Sequence, residues 1–322
     1  MRVAWALCLS LFLSVVGCGG SKDSVTPHTP GDLSADQIDA DPLALLPGSA
    51  IVLAILDAKT FFQSGAVGAQ VALIAQKLMP IGDEAGFSPS RDVDRVTIGA
   101  YALQGADVAA VITGRFDQSK IDLAAQNHTP TKSGGAIVAS SYAGRTLYTV
   151  NNVGFTVLTP HTALAGTETG IRRTLDRIHD GHLGRDMPSW MIDTVQTKDA
   201  ALAIATDLSS HEVQSAAVAG LPLPWLQGVK MVRIIGDFHD PGLNIAGTIT
   251  YADAQTAQAG AQGIRQAGGV ANLLSITGIV PQLRNLDVTV DGSNVQCKFA
   301  VDDQALRNLL TQVPSWIATP SH

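Results

Sequence analysis

Residues 51–56 form an unbroken apolar run, Ile-Val-Leu-Ala-Ile-Leu, which ends at Asp57 and predicts a buried strand. The pattern then changes period. Phe62, Val67, Val71, Ile74 and Leu78 recur at helical spacing, and Pro80 closes the helix they predict. Two strands follow, over 93–103 and 108–116, with Gln104-Gly105-Ala106-Asp107 as their turn. A short helix is expected over 118–126. Strands over 136–150 and 153–158 meet at Asn151-Asn152, a residue type that tolerates the positive φ of tight hairpins. Ile171, Leu175 and Ile178 then share one face of a helix that stops near Gly181.

The same order returns further on. Ala201-Leu202-Ala203-Ile204-Ala205-Thr206 repeats the opening strand and again ends in an aspartate, Asp207. The segments 229–235 and 243–251 answer 93–99 and 108–116. A helix from about 254 to 267 runs on into an apolar stretch containing Leu273, Leu274, Ile279 and Val280. Strands over 286–290 and 295–301 flank Asp291-Gly292, a two-residue hairpin signal, and a helix carrying Leu306, Leu309 and Leu310 closes the series. Met187-Pro188-Ser189-Trp190-Met191 near the end of the first half matches Val313-Pro314-Ser315-Trp316-Ile317 in the second. The reading is an α+β fold of two tandem copies of a β-α-β-β-α-β-β-α unit, at 47–196 and 197–320. Short hairpins imply mostly antiparallel sheet with helices packed on one face, either as two sheets or one shared sheet.

Ahead of this body lies a different kind of sequence. Arg2 followed by the apolar residues 3–16 has the anatomy of a secretory signal peptide over 1–17, and about 14 apolar residues fall short of the roughly 20 that span a bilayer. Leu13-Ser14-Val15-Val16-Gly17-Cys18 resembles a bacterial lipobox. That resemblance implies that Cys18 becomes the first mature residue and the lipid attachment site, carrying diacylglycerol on sulfur and, in many bacteria, an N-acyl group (palmitate is the usual label). Two or more chains give stable anchoring where one is marginal. Gly19, rather than aspartate, favours the outer membrane over the inner. An ordinary signal peptide that happens to hold a cysteine is the alternative. Residues 18–46, rich in Gly, Pro, Ser and Asp, read as a flexible tether reaching about 30 Å.

About 305 mature residues suffice for one large or two ordinary domains. The net charge of −7, one unit more negative once Arg2 leaves with the leader, argues against nucleic acid, which demands basic patches, and against electrostatic contact with anionic lipid. Cys297 is the one cysteine left in the body, so no disulfide forms within it.

The search for chemistry returns little. Gly-x-Ser-x-Gly, His-Glu-x-x-His and a phosphate-cradling glycine loop are missing, so no catalytic residue, metal ligand or cofactor is assigned. His179-Asp180-Gly181-His182, with Asp186, offers metal-type ligands, but a helix end explains it better. His211-Glu212 has no second histidine. Asp57 and Asp207 fit helix or turn caps better than an acid/base pair. Cys297, flanked by Val295 and Phe299 on one strand face, reads as a small buried hydrophobe. Trp190 and Trp316 read as core anchors. The apolar segment 269–283 is expected to lie between the two copies, or to meet a partner or lipid tail. The duplicated plan behind a lipobox resembles α+β surface lipoproteins of Gram-negative bacteria such as myxobacteria, a resemblance that brings no activity with it. The expected function is that of a membrane-anchored cell-envelope lipoprotein, not an enzyme, serving as a protein-binding or scaffolding module. A carrier of a lipid or other small hydrophobic ligand is the first alternative, and a hydrolase without a recognisable motif the second.

Overall fold

The computed structural model describes residues 32–102, 107–131, 135–150, 153–210, 217–218, 221–222, 224–275 and 282–317. Helix α1 (Ala35–Ala40) and a 3-10 turn (Pro42–Leu45) precede strand β1 (Val52–Leu56). Helices α2 (Ala58–Gln63), α3 (Gly68–Leu78) and α4 (Pro89–Asp92) lead to β2 (Val93–Ala100) and β3 (Val108–Gly114). After α5 (Gln118–Gln126) come β4 (Val138–Tyr142), β5 (Arg145–Val150), β6 (Val153–Val157) and β7 (Thr162–Gly166), then α6 (Glu168–His179) and α7 (Ser189–Val195). The second half holds β8 (Leu202–Asp207), a small hairpin of β9 (Ala217–Val218) and β10 (Leu221–Pro222), and the long strands β11 (Val229–His239) and β12 (Gly242–Tyr251). Helix α8 (Ala254–Leu274), β13 (Leu283–Asp291), β14 (Asn294–Asp302) and α9 (Asp303–Ile317) complete it.

Twelve of these strands form one antiparallel sheet, in the order β13-β14-β12-β11-β8-β1-β2-β3-β7-β6-β5-β4. The fold is α+β, and the two halves share the sheet. Its middle is the β1–β8 pair, in which Val52 faces Thr206, Ala54 faces Ile204 and Leu56 faces Leu202. Both strands are apolar at successive positions, so both of their sides require cover, as for any strand without polar alternation.

That requirement corrects the expectation of helices on one face. On one side Leu53, Ile55, Ala109, Val111, Leu147, Leu164, Ala203 and Ala205 pack under α6 and α7 through Ile171, Leu175, Ile178, Met191 and Val195. On the opposite side α5 covers Ile112, Tyr148, Phe155 and Val157. There too α8 packs on Val295 and Cys297 through Ala257 and Ala261, while α3 and α9 meet Leu243 and Val301.

Four further differences have local causes. The single helix expected from Phe62 to Leu78 is two, because the chain leaves helical geometry at Ser64 and resumes at Gly68. Residues 136–150 are not one strand: Ala143 and Gly144, both at positive φ (47° and 74°), fold them into the β4–β5 hairpin. Strand β7 and helix α7 were not foreseen, and Pro188 caps α7 whereas the matching Pro314 lies inside α9. Finally, residues 33–46 are not tether. Ile38, Leu45 and Leu46 are fully buried against the α6 side of the sheet, and Asp39 accepts hydrogen bonds from the Thr159 and Thr162 hydroxyls at 2.6 Å each. The leader, Cys18 and the remainder of the expected tether lie outside the described residues.

Candidate functional site

The sheet has two edges, and they differ in how they are defended. Strand β13 carries Arg284, Asp287 and Asp291, and its register slips between Arg284 and Asp287, where Asn285 sits at φ 54°. Charges and a bulge are the usual means by which an edge strand avoids pairing with another chain. Strand β4 has neither. Val138-Ala139-Ser140-Ser141-Tyr142 is uncharged and free of proline, pairs in unbroken register with β5, and is exposed at each of its first four residues. Val138 is 61% exposed.

Hairpin geometry fixes which backbone groups of β4 face outward. The two-residue turn Ala143-Gly144 makes Tyr142 and Arg145 a mutually hydrogen-bonded pair. Alternation then commits the amides and carbonyls of Ser140 and Val138 to β5. Those of Ala139 and Ser141 point away from the sheet, on the side where Pro130 bridges Ala136 just before the strand.

Side chains on the α6 side of the hairpin are tightly held. The Tyr142 hydroxyl donates to Asp176 at 3.0 Å, and the Arg172 guanidinium lies 4.8 Å from the Tyr142 ring centroid. The hydrogen bond to Asp176, together with partial desolvation and the nearby charge of Asp176, raises the Tyr142 pKa. Arg172 is paired with Glu168 at 2.6 Å. On the opposite side of the sheet Tyr148 donates to Asp122 of α5 at 2.6 Å, and burial, the largest cause, raises its pKa.

Arg145, directly across from Tyr142, has a second connection. Its guanidinium donates to the Leu158 carbonyl at 3.2 Å and reaches Asp32 at 3.4 Å. Asp32 is where the described chain begins. Leu33 follows, with its amide donating to the Ile178 carbonyl at 3.0 Å. Asp32 therefore lies over β5 and the residue that follows β6.

The residues singled out in the sequence are not brought to this edge. Cys18 and His211-Glu212 lie outside the described residues. Gly181 adopts φ 68° and ends α6, where the His182 amide donates to the Arg177 carbonyl at 2.8 Å. The His182 imidazole and the Arg177 guanidinium both reach Asp186, at 2.8 and 2.7 Å, and Arg177, the larger cause, holds the Asp186 carboxyl below its ordinary range. Among the described residues no group of three or more His, Cys, Asp or Glu side chains is placed to hold a metal ion. Asp57 caps α2 by accepting from the Thr60 amide at 2.9 Å, and Asp207 accepts from the Ser209 amide at 2.9 Å. Cys297 is buried beneath α8, and that burial raises its thiol pKa. Trp190 packs against the core and stacks under Arg233 at 5.0 Å; the side chain of Trp316 lies outside the described residues. No described helix is long and apolar enough to cross a membrane.

No family model and no curated protein matches the chain. Solved structures do. Crystal form III of TP0453 superposes with a TM-score of 0.53 at 11% identity, over 85% of this chain and 98% of that one. Crystal form I gives a TM-score of 0.51 at 10% identity over 85% and 97%. At such identity the likeness concerns the fold: a large antiparallel sheet with helices, shared nearly end to end.

Proposed function

We propose that this is a lipid-anchored cell-envelope protein whose body acts without catalysis, by accepting a strand of another protein chain along β4. The observation that supports the reading is the β4 strand itself, uncharged, in unbroken register with β5 and exposed at Val138, Ala139, Ser140 and Ser141. Added strands gain affinity from main-chain hydrogen bonds and need no pocket or catalytic group. Attachment is through Cys18 and to the outer membrane, a reading supported by the lipobox resemblance and by Gly19.

The body itself is proposed to be a duplicated unit. Outward from β1 the sheet runs β2, β3, β7, β6, and outward from β8 it runs β11, β12, β14, β13. Helix α8 leads from β12 to the β13–β14 hairpin as α5 leads from β3 toward the β6–β7 pair, and α6 and α9 follow β7 and β14. In this reading the β4–β5 hairpin is an addition to the first copy, which is why the docking edge exists on one side only.

Labelled palmitate supplied to cells making the full chain should enter the product, and Cys18→Ser should abolish the label. A photo-crosslinking amino acid at Val138 should couple to a protein chain in the native envelope. Absence of both label and adduct defeats the proposal.

A second reading has its own support. Ala54, Ile98, Leu202, Ile204 and Ile234 share the α8 side of the central sheet and are only half-buried, an apolar floor of the kind a hydrophobic ligand would cover. Native mass spectrometry of the purified body would reveal a retained lipid if the protein is a carrier.

A further inference from the structure

Where α4, the end of β3 and the start of α5 meet, a cavity of about 300 Å³ combines a basic rim with an apolar floor. We propose that it binds a small organic acid, a carboxylate joined to one aromatic ring or a short aliphatic group. The cavity shares no residue with the β4 edge or with the half-buried floor of the central sheet.

Backbone hydrogen bonds assemble the rim. The amides of Gly114 and Phe116 donate to the carbonyls of His161 and Pro160, each at 2.9 Å, and the Arg115 amide donates to the Asp92 carbonyl at 2.8 Å. The end of β3 is thereby held between the 159–162 turn and α4. Gly86, at φ 65°, leaves room for the Lys120 stem, since a Cβ there would stand 2.7 Å from Lys120 Cδ. The Gly86 carbonyl accepts from the Arg91 guanidinium at 2.7 Å, and the Arg91 carbonyl accepts from the Arg115 guanidinium. Lys120, Arg91 and Arg115 are thus gathered through two backbone carbonyls, with His161 on the same cavity wall.

The carboxylates of the cavity do not neutralise this rim. Asp92 is committed to Arg91, at 2.7 and 2.6 Å, and Asp117 lies 3.2 Å from Lys120 Nζ. Arg115 forms no ion pair among the described residues. Three cations against two carboxylates leave one positive charge lining the cavity, in a chain whose net charge is −7. One carboxylate balances that charge, and it matches the planar fork of a guanidinium. A phosphate monoester, with nearly two charges, exceeds it.

The floor selects the rest of the ligand. Phe87 and Phe116 stack with ring centroids 6.0 Å apart and planes 16° from parallel, and Ile121 and Pro160 extend that surface. Phe87 and Ile121 are 5% and 2% exposed, whereas the Arg91 and Lys120 side chains are 61% and 59% exposed. Charge therefore sits at the mouth and apolar surface below it. A volume at the lower end for small-molecule pockets admits one ring or a few carbons rather than a long acyl chain.

The test uses the full lipidated chain in phosphatidylcholine nanodiscs, with 3-phenylpropionate as probe and empty nanodiscs as background. Saturation-transfer NMR should show binding, strongest at the ring protons. Acetate lacks the apolar part and 3-phenyl-1-propanol lacks the charge, so each should bind about tenfold more weakly. Arg115→Gln should weaken 3-phenylpropionate about tenfold, and Arg115→Lys should restore part of the loss. Lys120→Gln, at an exposed position, should act in the same direction if Arg115→Gln does not fold. Lys298→Gln, on β14, should change nothing.

Binding of the alcohol as tight as that of the acid, or acid binding untouched by both Arg115→Gln and Lys120→Gln, would overturn the site. Acetate binding as tightly as 3-phenylpropionate would overturn the role of the floor. Tighter binding of phenyl phosphate would overturn the carboxylate assignment. Tighter binding of the tripeptide Ala-Ala-Phe, which carries the same carboxylate and ring at a chain end, would overturn the free acid as the ligand.

Discussion

Ala54 faces Ile204 directly across the β1–β8 pair, and through that pair the two halves of the molecule become one sheet. Each strand also hands its other edge to its own half, β1 to β2 and β8 to β11. A sheet continuous through its middle unfolds as a unit if that seam is its strongest part. Leu53, fully buried at the seam, has its side chain in the core beneath α6 and α7. Leu53→Ala should cost about 2–5 kcal/mol. Urea unfolding followed by tryptophan fluorescence and by far-ultraviolet circular dichroism should show one coincident transition moved to lower urea. Two separated transitions, with one unmoved, would mean that the halves are independent.

The N-terminal segment is fastened at Asp39, whose carboxylate accepts from both Thr159 and Thr162. Those threonines are 4% and 1% exposed, so Asp39→Ala strands their hydroxyls away from water. The expected loss is about 1–3 kcal/mol. Limited proteolysis should then cut within residues 33–46 faster than in the parent, while cutting elsewhere keeps its rate.

Acid should weaken the body through several carboxylates. The Ala305 amide, as the largest cause, and the Arg284 guanidinium hold the Asp302 carboxyl below its ordinary value, and Asp186 is held down by Arg177 and His182. A depressed folded-state pKa gives stability that is complete above the unfolded value and lost as pH falls through the folded one. Urea midpoints should therefore be level at higher pH and fall as pH drops below 3.8, the ordinary aspartate value. Asp302→Asn should flatten part of that fall and leave the midpoint above it lower than in the parent.

Burial raises the Cys297 thiol pKa, and the side chain is 9% exposed beneath α8. Thiolate is the reactive form. Iodoacetamide at neutral pH should leave Cys297 unmodified in the folded protein and label it fully in urea. Fast labelling of the folded chain would mean that α8 lifts readily from the sheet.

The sequence reveals the elements whose signal is local. The β1 and β8 runs, the β13–β14 hairpin and the α6 face of Ile171, Leu175 and Ile178 all occur as read, although the hairpin turn is Gly292-Ser293, one residue on from the expected Asp291-Gly292. What it hides is set by distant contacts. The covering of both faces of the sheet depends on where α6 and α8 dock, which periodicity within either helix does not encode. Residues 33–46 look like tether because Pro42, Pro47 and several aspartates break up their apolar residues, yet Ile38, Leu45 and Leu46 find the core. The β4–β5 hairpin has one sequence signal, Gly144 after Ala143, set within a run otherwise suited to a single strand. That β4 is an edge at all follows from the order of the whole sheet.

The most direct measurement of the account is residue-resolved hydrogen exchange along β4, comparing the isolated lipid-free body with the full chain in its native membranes. In the isolated body the amides of Ala139 and Ser141 should exchange fast, while those of Val138, Ser140 and Tyr142, committed to β5, exchange slowly. In the native membranes Ala139 and Ser141 should become protected together. Equal protection of all five amides in the isolated body, or no slowing of Ala139 and Ser141 on the membrane, would contradict it.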